Sequence, residues 1–357
     1  MFHVLSVDRK PAFNHSITAC KERTYRPYAG NTFGYNDEIR IPIRKQEYNL
    51  LPSQSSVHII GKVTNGGGTP STTATLDTNF GAFLFTECRY ELNGVEIDRT
   101  RNLGVASTMK GYASMKSTNK GCLQNAGWFP TADGYTLADA TTARFHIIIP
   151  LSLLLGFAED FQMCIVACSH ELVLVRSSND NCTLKCETAD DKSVIIIEDI
   201  YWKVPALSLS HEQQARMLSI MDKNDTLHLA FRSWEMYELP ALPAASKLNW
   251  AIKASSQLEK PRFMIFGFQT NRKSKSTNSC LFDSCKISKL KVFLNEEYYP
   301  NEDMRVKLSE HDYSELYDMY TKFQASYYSL ESNALTEPLF SRNTFMETPL
   351  IVIDCSL

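Results

Sequence analysis

Apolar and polar residues alternate along several short segments of the chain, and this alternation predicts β-strands. In residues 36–44 (NDEIRIPIR) three isoleucines alternate with arginine and proline, which is typical of a strand with one buried face. Similar patterns predict strands at 57–64, 80–86, 144–151, 161–176 and 193–204. Together with the hairpin described next, they give the first half of the chain roughly eight strands, the number expected of a jelly roll.

One module of strands and a helix occurs twice along the chain. The first copy is a hairpin at 88–98 that turns at Asn93-Gly94, then a helix at 103–116 and the strand 144–151. The second copy is a hairpin at 289–299, a helix at 312–328 and a Pro-bearing strand at 348–355. Because the order of elements repeats, we predict an all-β protein with a few inserted helices, folded as two tandem jelly-roll β-sandwiches.

The boundaries of the two sandwiches follow from the breaks between periodic segments. We predict an N-terminal arm at 1–35, a first jelly roll at 36–205 that closes at Pro205, a linker and helix at 206–224, and a second jelly roll at 225–357. Ser210 followed by Gln213 is a capping box that begins the linker helix. Further strands of the second jelly roll are expected at 226–237, 248–254 and 262–270.

Two features of this division have alternative interpretations. The aromatic arm either contacts a neighbouring subunit or folds back on its own domain. The second sandwich has no counterpart of the strands 161–176 and 193–204, so either another chain completes its sheets or the sequence is a shortened product. We therefore expect the second jelly roll to be the less stable half, completed only by a partner strand or by a longer C-terminus.

Composition and charge narrow the class of protein. The 357 residues are 43% hydrophobic and 22% charged, as in a soluble globular protein, and the formal net charge of −3 gives no general attraction to nucleic acid. We expect no direct sequence-specific nucleic-acid binding. No apolar run reaches the roughly eighteen residues of a membrane span, and no signal peptide is recognised. The ten scattered cysteines indicate reduced thiols and an intracellular location.

Motifs for catalysis are incomplete, and we predict no enzymatic activity. Gly61-Lys62-Val63 lacks the rest of a phosphate-binding loop, and the glycines at 66–68 do not lead into a helix. His211-Glu212 lacks the second histidine of a zinc-protease motif, and no nucleophile elbow occurs. The four tryptophans lie in different predicted elements and form no sugar-binding platform; they are Trp128, Trp202, Trp234 and Trp250.

Metal-binding and basic residues are also better explained as structural. The pairs Cys182/Cys186 and Cys280/Cys285 are spaced like zinc ligands, but we interpret them as unpaired thiols in different domains. The three histidines within predicted strands are interpreted as core or surface residues; they are His58, His146 and His170. A small basic cluster is either a solvated face or a contact with an acidic neighbour; it consists of Arg99, Arg101, Lys110 and Lys116. We predict no catalytic, cofactor-binding or metal-binding residue, and no cofactor.

Several longer segments resemble a known family. These are 36–44, 92–112 (LNGVEIDRTRNLGVASTMKGY), 149–160 (IPLSLLLGFAED), 170–177 (HELVLVRS) and 349–356 (PLIVIDCS). They resemble the double jelly-roll proteins found in invertebrate genomes, which are similar to the major capsid proteins of Polinton/Maverick and adintovirus-type elements. The resemblance covers nearly the whole chain from about residue 36, and its motifs are structural.

The resemblance implies a capsid subunit in which two jelly rolls stand side by side and three chains form a pseudo-hexameric block. It implies a homotrimer that contacts neighbouring capsomers and a penton or minor capsid protein, and that lies in the cytoplasm or nucleus before assembly and in the virion if the gene is viral. The chain departs from the family after Cys355, where further strands are expected. A carbohydrate- or ligand-binding jelly-roll module and a domesticated host protein without a capsid role are the alternatives.

Overall fold

The computed structural model describes residues 16–28, 32–45, 49–128, 142–222, 227–252, 261–294, 296–304, 306–307, 310–329 and 336–355. In this part of the chain the first half contains the strands β1 (Ile17–Tyr25), β2 (Glu38–Ile43), β3 (Asn49–Leu50), β4 (Ser56–Thr64), β5 (Thr75–Leu76), β6 (Phe85–Leu92), β7 (Val95–Arg101), β8 (Arg144–Pro150), β9 (His170–Arg176), β10 (Leu184–Lys185) and β11 (Val194–Leu209). Four helices lie between them: α1 (Phe80–Phe83), α2 (Leu103–Ser114), α3 (Lys120–Gln124) and α4 (Gly156–Asp160).

Two antiparallel sheets face each other in this half. The first has the order β1-β11-β4-β8, with the short β3 also paired to β11, and the second has the order β2-β9-β6-β7. In the first sheet β11, the last of its strands in sequence, lies between β1 and β4. In the second sheet β9, again the last in sequence, lies between β2 and β6. This is the arrangement of an eight-stranded jelly roll, with β5 and β10 as a small additional pair.

Alternating side chains from both sheets form the core of this sandwich. Ile59, Ile147 and Trp202 point inward from the first sheet, and Ile41 and Tyr90 point inward from the second; all are buried in one cluster. The hairpin between β6 and β7 turns at Asn93-Gly94, and both residues have positive φ, as a type I′ turn requires. The predicted alternation and the predicted hairpin are therefore present in the structure.

The second half has fewer strands. They are β12 (Phe263–Phe266), β13 (Val292–Leu294), β14 (Glu297–Tyr299) and β15 (Ile351–Asp354), and the long helices are α5 (His211–Asp222) and α6 (Ser314–Tyr327). β12 pairs with β15 and β13 pairs with β14, both antiparallel. The order hairpin, helix, strand is the one predicted from the repeated module, while Asn295 of the second hairpin lies outside the described residues.

Several predicted elements differ in the structure. Residues 227–237 and 248–252 form no strand in the structure, and Thr226 and residues 253–254 lie outside the described part of the chain. Of the predicted strand 161–176 only the last seven residues form a strand, which is β9. Before it, a single isolated bridge joins Ile165 to Leu50. At the start of the predicted strand 80–86, residues 80–83 form α1, and β6 begins at Phe85.

The ends of the first domain also differ from the prediction. Pro205 does not close the domain, because it lies within β11 opposite Glu22 of β1. Within the described part of the predicted arm, residues 17–25 form the edge strand β1 of the chain's own first sheet. Residues 1–15 lie outside the described part, so the alternative of a contact with a neighbouring subunit remains a prediction for them.

A second hydrophobic cluster is built from both halves of the chain. Tyr112 and Trp128 come from the first half, and Phe282, Phe323 and Phe345 come from the second. Each of these aromatic side chains is almost completely buried. The second half therefore packs on the helices of the first half as well as on itself.

Candidate assembly surface

Side chains of helix α6 form hydrogen bonds with backbone carbonyl groups at the C-terminal end of helix α2. The last carbonyl groups of a helix have no partner within it. The hydroxyl of Tyr320 donates to the carbonyl oxygen of Tyr112 at 2.7 Å, and Nε2 of Gln324 donates to the carbonyl oxygen of Met115 at 2.8 Å. Tyr320 and Gln324 are four residues apart on α6, so both face α2.

A buried carboxylate makes a second junction between the halves. Asp77 is fully buried, and its oxygens accept the backbone N–H groups of Thr78 at 2.8 Å and of Ser279 at 3.0 Å. Burial raises the pKa of Asp77 to about 6. The thiol of Cys280 donates to the carbonyl oxygen of Thr78 beside it. These contacts hold the loop around residue 280 against the first jelly roll.

A third junction involves the segment 231–234, which has no regular secondary structure. Arg232 forms two charge-assisted hydrogen bonds with Asp160, at 2.7 and 2.6 Å, and donates to the carbonyl oxygen of Tyr327 at 2.5 Å. Phe231 packs against Phe157 in the first cluster, while Trp234 packs on the second. One short segment therefore contacts both cores.

On either side of this anchored segment the chain exposes many large apolar side chains. Of the eighteen exposed large hydrophobic residues in the described part of the chain, nine lie between residues 218 and 252. They are Leu218, Ile220, Leu227, Leu229, Tyr237, Leu242, Leu248, Trp250 and Ile252. We call these nine residues the apolar surface. Half of the exposed large hydrophobic residues in the described part of the chain therefore fall within one stretch of the sequence.

Helix α5 contributes the first part of this surface. The N–H of Gln213 donates to Oγ of Ser210 at 3.4 Å, which confirms the predicted N-cap. None of the side chains described for this helix is buried. An isolated helix of twelve residues is marginally stable in water, and α5 leaves Leu218 and Ile220 exposed.

The structure gives other roles to the residues considered for catalysis. Gly61 lies in β4, where a Cβ atom would be 2.7 Å from the ring of Phe145, so close packing explains this glycine. Two small pockets of the described residues each have a volume of about 10 Å³, about the space of one water molecule.

The three histidines of the predicted strands lie in two places: His58 and His146 are neighbours, and His170 lies apart from them. His58 and His146 are on neighbouring strands, with Nδ1 of His58 3.3 Å from Nε2 of His146, and His58 stacks on Tyr201. Burial lowers the pKa of His58 to about 4. Buried His170 lies with its Nδ1 2.6 Å from the hydroxyl of Tyr90. Both His58 and His146 lie in strands, as predicted, but nothing in the sequence near either residue indicates that they are neighbours.

No group of three or more His, Cys, Asp or Glu side chains in the described ranges is arranged to hold a metal ion. None of the helices described is long and apolar enough to cross a bilayer.

Three residues of the predicted basic cluster form ion pairs with different carboxylates. Arg99 pairs with Glu96, Arg101 with Glu87 and Lys110 with Glu159. Trp128 and Trp202 are buried in different clusters, so they do not share a platform.

The strand order of the first half defines a jelly-roll protein. A family model described as a double jelly roll-like domain matches residues 74–357, which is most of the chain, and the chain therefore belongs to this family. The predicted double jelly-roll fold is confirmed. No curated protein sequence matches the chain significantly.

Solved viral structures show a distant likeness. The Faustovirus major capsid protein has 11% identity and a TM-score of 0.42, covering 60% of this chain and 58% of that chain. The PBCV-1 virus capsid has 10% identity and a TM-score of 0.41, covering 58% and 46%. The Sputnik virophage structure has 8% identity and a TM-score of 0.41, covering 58% and 51%. The chain spans about half the length of these structures.

Proposed function

We propose that the protein is a structural, non-enzymatic subunit of a viral or virus-derived capsid, and that three copies form a pseudo-hexameric block. Membership of the double jelly roll-like family and the segments that resemble Polinton/Maverick major capsid proteins support this proposal. The further partners are neighbouring capsomers and a penton or minor capsid protein. Before assembly the subunit lies in the cytoplasm or nucleus, and in the virion if the gene is viral.

The apolar surface is the observation that carries the proposal. Its residues follow the first jelly roll in sequence and flank the anchored segment 231–234, so they belong to the stretch that connects the two halves of the chain. Burial of apolar area contributes about 25 cal/mol per Å², and leaving so many large side chains in water loses this stabilisation. A neighbouring subunit that covers the surface would recover it.

Light scattering at micromolar concentration tests the proposal. We expect a mass three times the 40.5 kDa of one chain. The double variant Leu227→Asp/Leu242→Asp should dissociate the trimer, because it places two carboxylates in the buried contact. Met163→Asp is the matched control, since Met163 is 63% exposed and Leu227 is 66% exposed, but Met163 lies outside the apolar surface. A stable monomer of the unaltered chain would contradict the trimer.

A second candidate, a carbohydrate-binding module, has one observation in its favour. Phe293 and Tyr298 are directly opposite each other on β13 and β14, both are exposed, and their ring centroids are 4.9 Å apart. Exposed aromatic pairs of this kind stack on sugar rings. Glycan binding by a monomeric chain that is lost in Phe293→Ala, with Tyr237→Ala as control, would favour this candidate over the capsid subunit.

A further inference from the structure

The loops that carry the two cysteine pairs meet at the junction between the two halves of the chain. The N–H of Cys186 donates to the carbonyl oxygen of Lys275 at 2.7 Å. The ammonium group of Lys275 in turn donates to the carbonyl oxygens of Asp191 and Ser193, both at 2.7 Å. The loop of one cysteine pair therefore lies against the loop that leads into the other pair, although the two pairs come from different halves of the chain.

A small group of hydrogen bonds brings Cys182 close to Cys280. Ser279, the residue before Cys280, forms a side-chain hydrogen bond with Cys182, and its N–H donates to Asp77 at 3.0 Å. The thiol of Cys280 donates to the carbonyl oxygen of Thr78, the residue after Asp77. Cys280 belongs to the second hydrophobic cluster, and Cys182 packs against that cluster. One cysteine of each pair therefore lies in the same group of contacts.

The two thiols differ in their access to solvent. Both are free thiols in the structure, and Cys280 is completely buried whereas Cys182 is half-buried. Burial raises the pKa of both thiols, and Asp77 and Cys182 raise that of Cys280 further. The thiols therefore stay protonated and react slowly, and an oxidant in solution reaches Cys182 first.

We propose that Cys182 and Cys280 are a redox-sensitive pair, which forms a disulfide across the junction when the chain meets a disulfide oxidant such as oxidised glutathione. The thiolate of Cys182 attacks one sulfur of oxidised glutathione, forms a mixed disulfide and releases the first reduced glutathione. The thiolate of Cys280 then attacks the sulfur of Cys182 and displaces the second glutathione. Two protein thiols are oxidised, and one oxidised glutathione is reduced to two thiols, which take up the two protons.

The disulfide would join the two halves covalently. In the reduced chain the loop around residue 280 is held by the hydrogen bonds to Asp77 and Thr78. A cross-link that closes a long segment of chain restricts the unfolded state, so oxidation strengthens this junction and reduction reverses the effect. The inference is independent of the capsid proposal, because a monomeric chain would contradict the trimer and leave the disulfide unaffected.

Peptide mapping of the full chain tests the proposal. The chain is incubated with oxidised glutathione, the remaining thiols are alkylated, and the digest is analysed by mass spectrometry without reduction. We expect a cross-linked peptide pair that contains Cys182 and Cys280, at least about tenfold more abundant than any other cross-linked pair and absent after treatment with dithiothreitol. The absence of this pair, an equal amount of a pair between Cys182 and Cys186, or a cross-link between two chains would overturn the proposal.

Serine variants separate the two steps of the reaction. Cys280→Ser keeps a donor for the carbonyl oxygen of Thr78 and should stop at the mixed disulfide between Cys182 and glutathione. Cys182→Ser should leave Cys280 unmodified, because the oxidant does not reach a buried thiol. Cys285→Ser is the matched control: it removes an exposed cysteine close to Cys280 in sequence and should form the cross-link as the unaltered chain does. Loss of the cross-link in this control would contradict the assigned pair.

Limited proteolysis measures the effect on the junction. Oxidation of the unaltered chain should slow cleavage in the loop around residue 280 at least about tenfold, and it should have no such effect on Cys280→Ser. Equal cleavage of the oxidised and reduced unaltered chains would show that the two cysteines do not fasten the halves together.

Discussion

The hydroxyl of Tyr320 and the carbonyl oxygen of Tyr112 are 2.7 Å apart, although 208 residues separate them in sequence. The bond satisfies a carbonyl at the end of one helix with a side chain from another, and both residues are buried in the second hydrophobic cluster. The helices of the two repeated modules are therefore joined by a specific polar contact within an apolar cluster.

Tyr320→Phe should destabilise the chain by about 1 to 3 kcal/mol, because it leaves the buried carbonyl oxygen of Tyr112 without this donor. Urea unfolding followed by fluorescence measures the change. Tyr317→Phe is the matched control: its hydroxyl donates to Phe340 within the second half and is only partly buried. The control should lose less than about 1 kcal/mol. Equal losses in the two variants would contradict a special role of the contact between the halves.

Asp77 should make the chain less stable as the pH rises through 6. Its pKa in the folded chain is about 6, against an ordinary value of 3.8, so its contribution is fully present below pH 3.8 and is lost above pH 6. The unfolding free energy of the unaltered chain, relative to that of Asp77→Asn, should fall by up to about 3 kcal/mol between pH 4 and pH 7. A difference that does not change with pH would show that Asp77 is not buried as described.

His170 should make the chain less stable as the pH falls, which is the opposite of the effect of Asp77. Burial lowers its pKa to about 4 from 6.5, so its contribution to stability is present above pH 6.5 and is lost as the pH falls to 4. The unaltered chain should lose more unfolding free energy between pH 7 and pH 4.5 than His170→Gln does. The exposed residue His211, changed to Gln, provides the control and should behave as the unaltered chain.

Gly156→Ala should release the segment 231–234. A Cβ atom at Gly156 would lie 1.9 Å from the carbonyl oxygen of Arg232, a distance that the structure cannot accommodate without moving that segment. We expect faster proteolysis between residues 235 and 252, measured by limited digestion and mass spectrometry. Gly121→Ala is the control, because a Cβ atom at that helical position meets no atom within 4 Å. Equal digestion of both variants would disprove the close contact.

The first jelly roll could be predicted from sequence because its strands carry a local signal. The isoleucines of β2 alternate with other residues, and Asn93-Gly94 specifies a tight turn, so both elements were recognisable from a few neighbouring residues. The position of the linker helix was recognisable for the same reason, since Ser210 caps α5.

The apolar surface was not recognised, because the same alternation that marks a paired strand also occurs in residues 227–237 and 248–252. Sequence patterns report which residues would suit a sheet, but they do not report whether a partner strand is present. The junction residues were missed for another reason. Nothing near Tyr320 or Gln324 in sequence indicates that both face the end of a helix formed far earlier in the chain.

The closure of α2 by α6 also sets an order of events during synthesis on the ribosome. Tyr112 is translated 208 residues before Tyr320, and at the usual 5 to 20 residues per second this interval is roughly 10 to 40 s. Throughout that time the nascent first jelly roll presents Tyr112, Trp128 and the end of α2 without the side chains that later cover them. During this interval a chaperone that recognises exposed aromatic residues can bind there. Once α6 has emerged from the ribosome and packed on the cluster, these residues are covered.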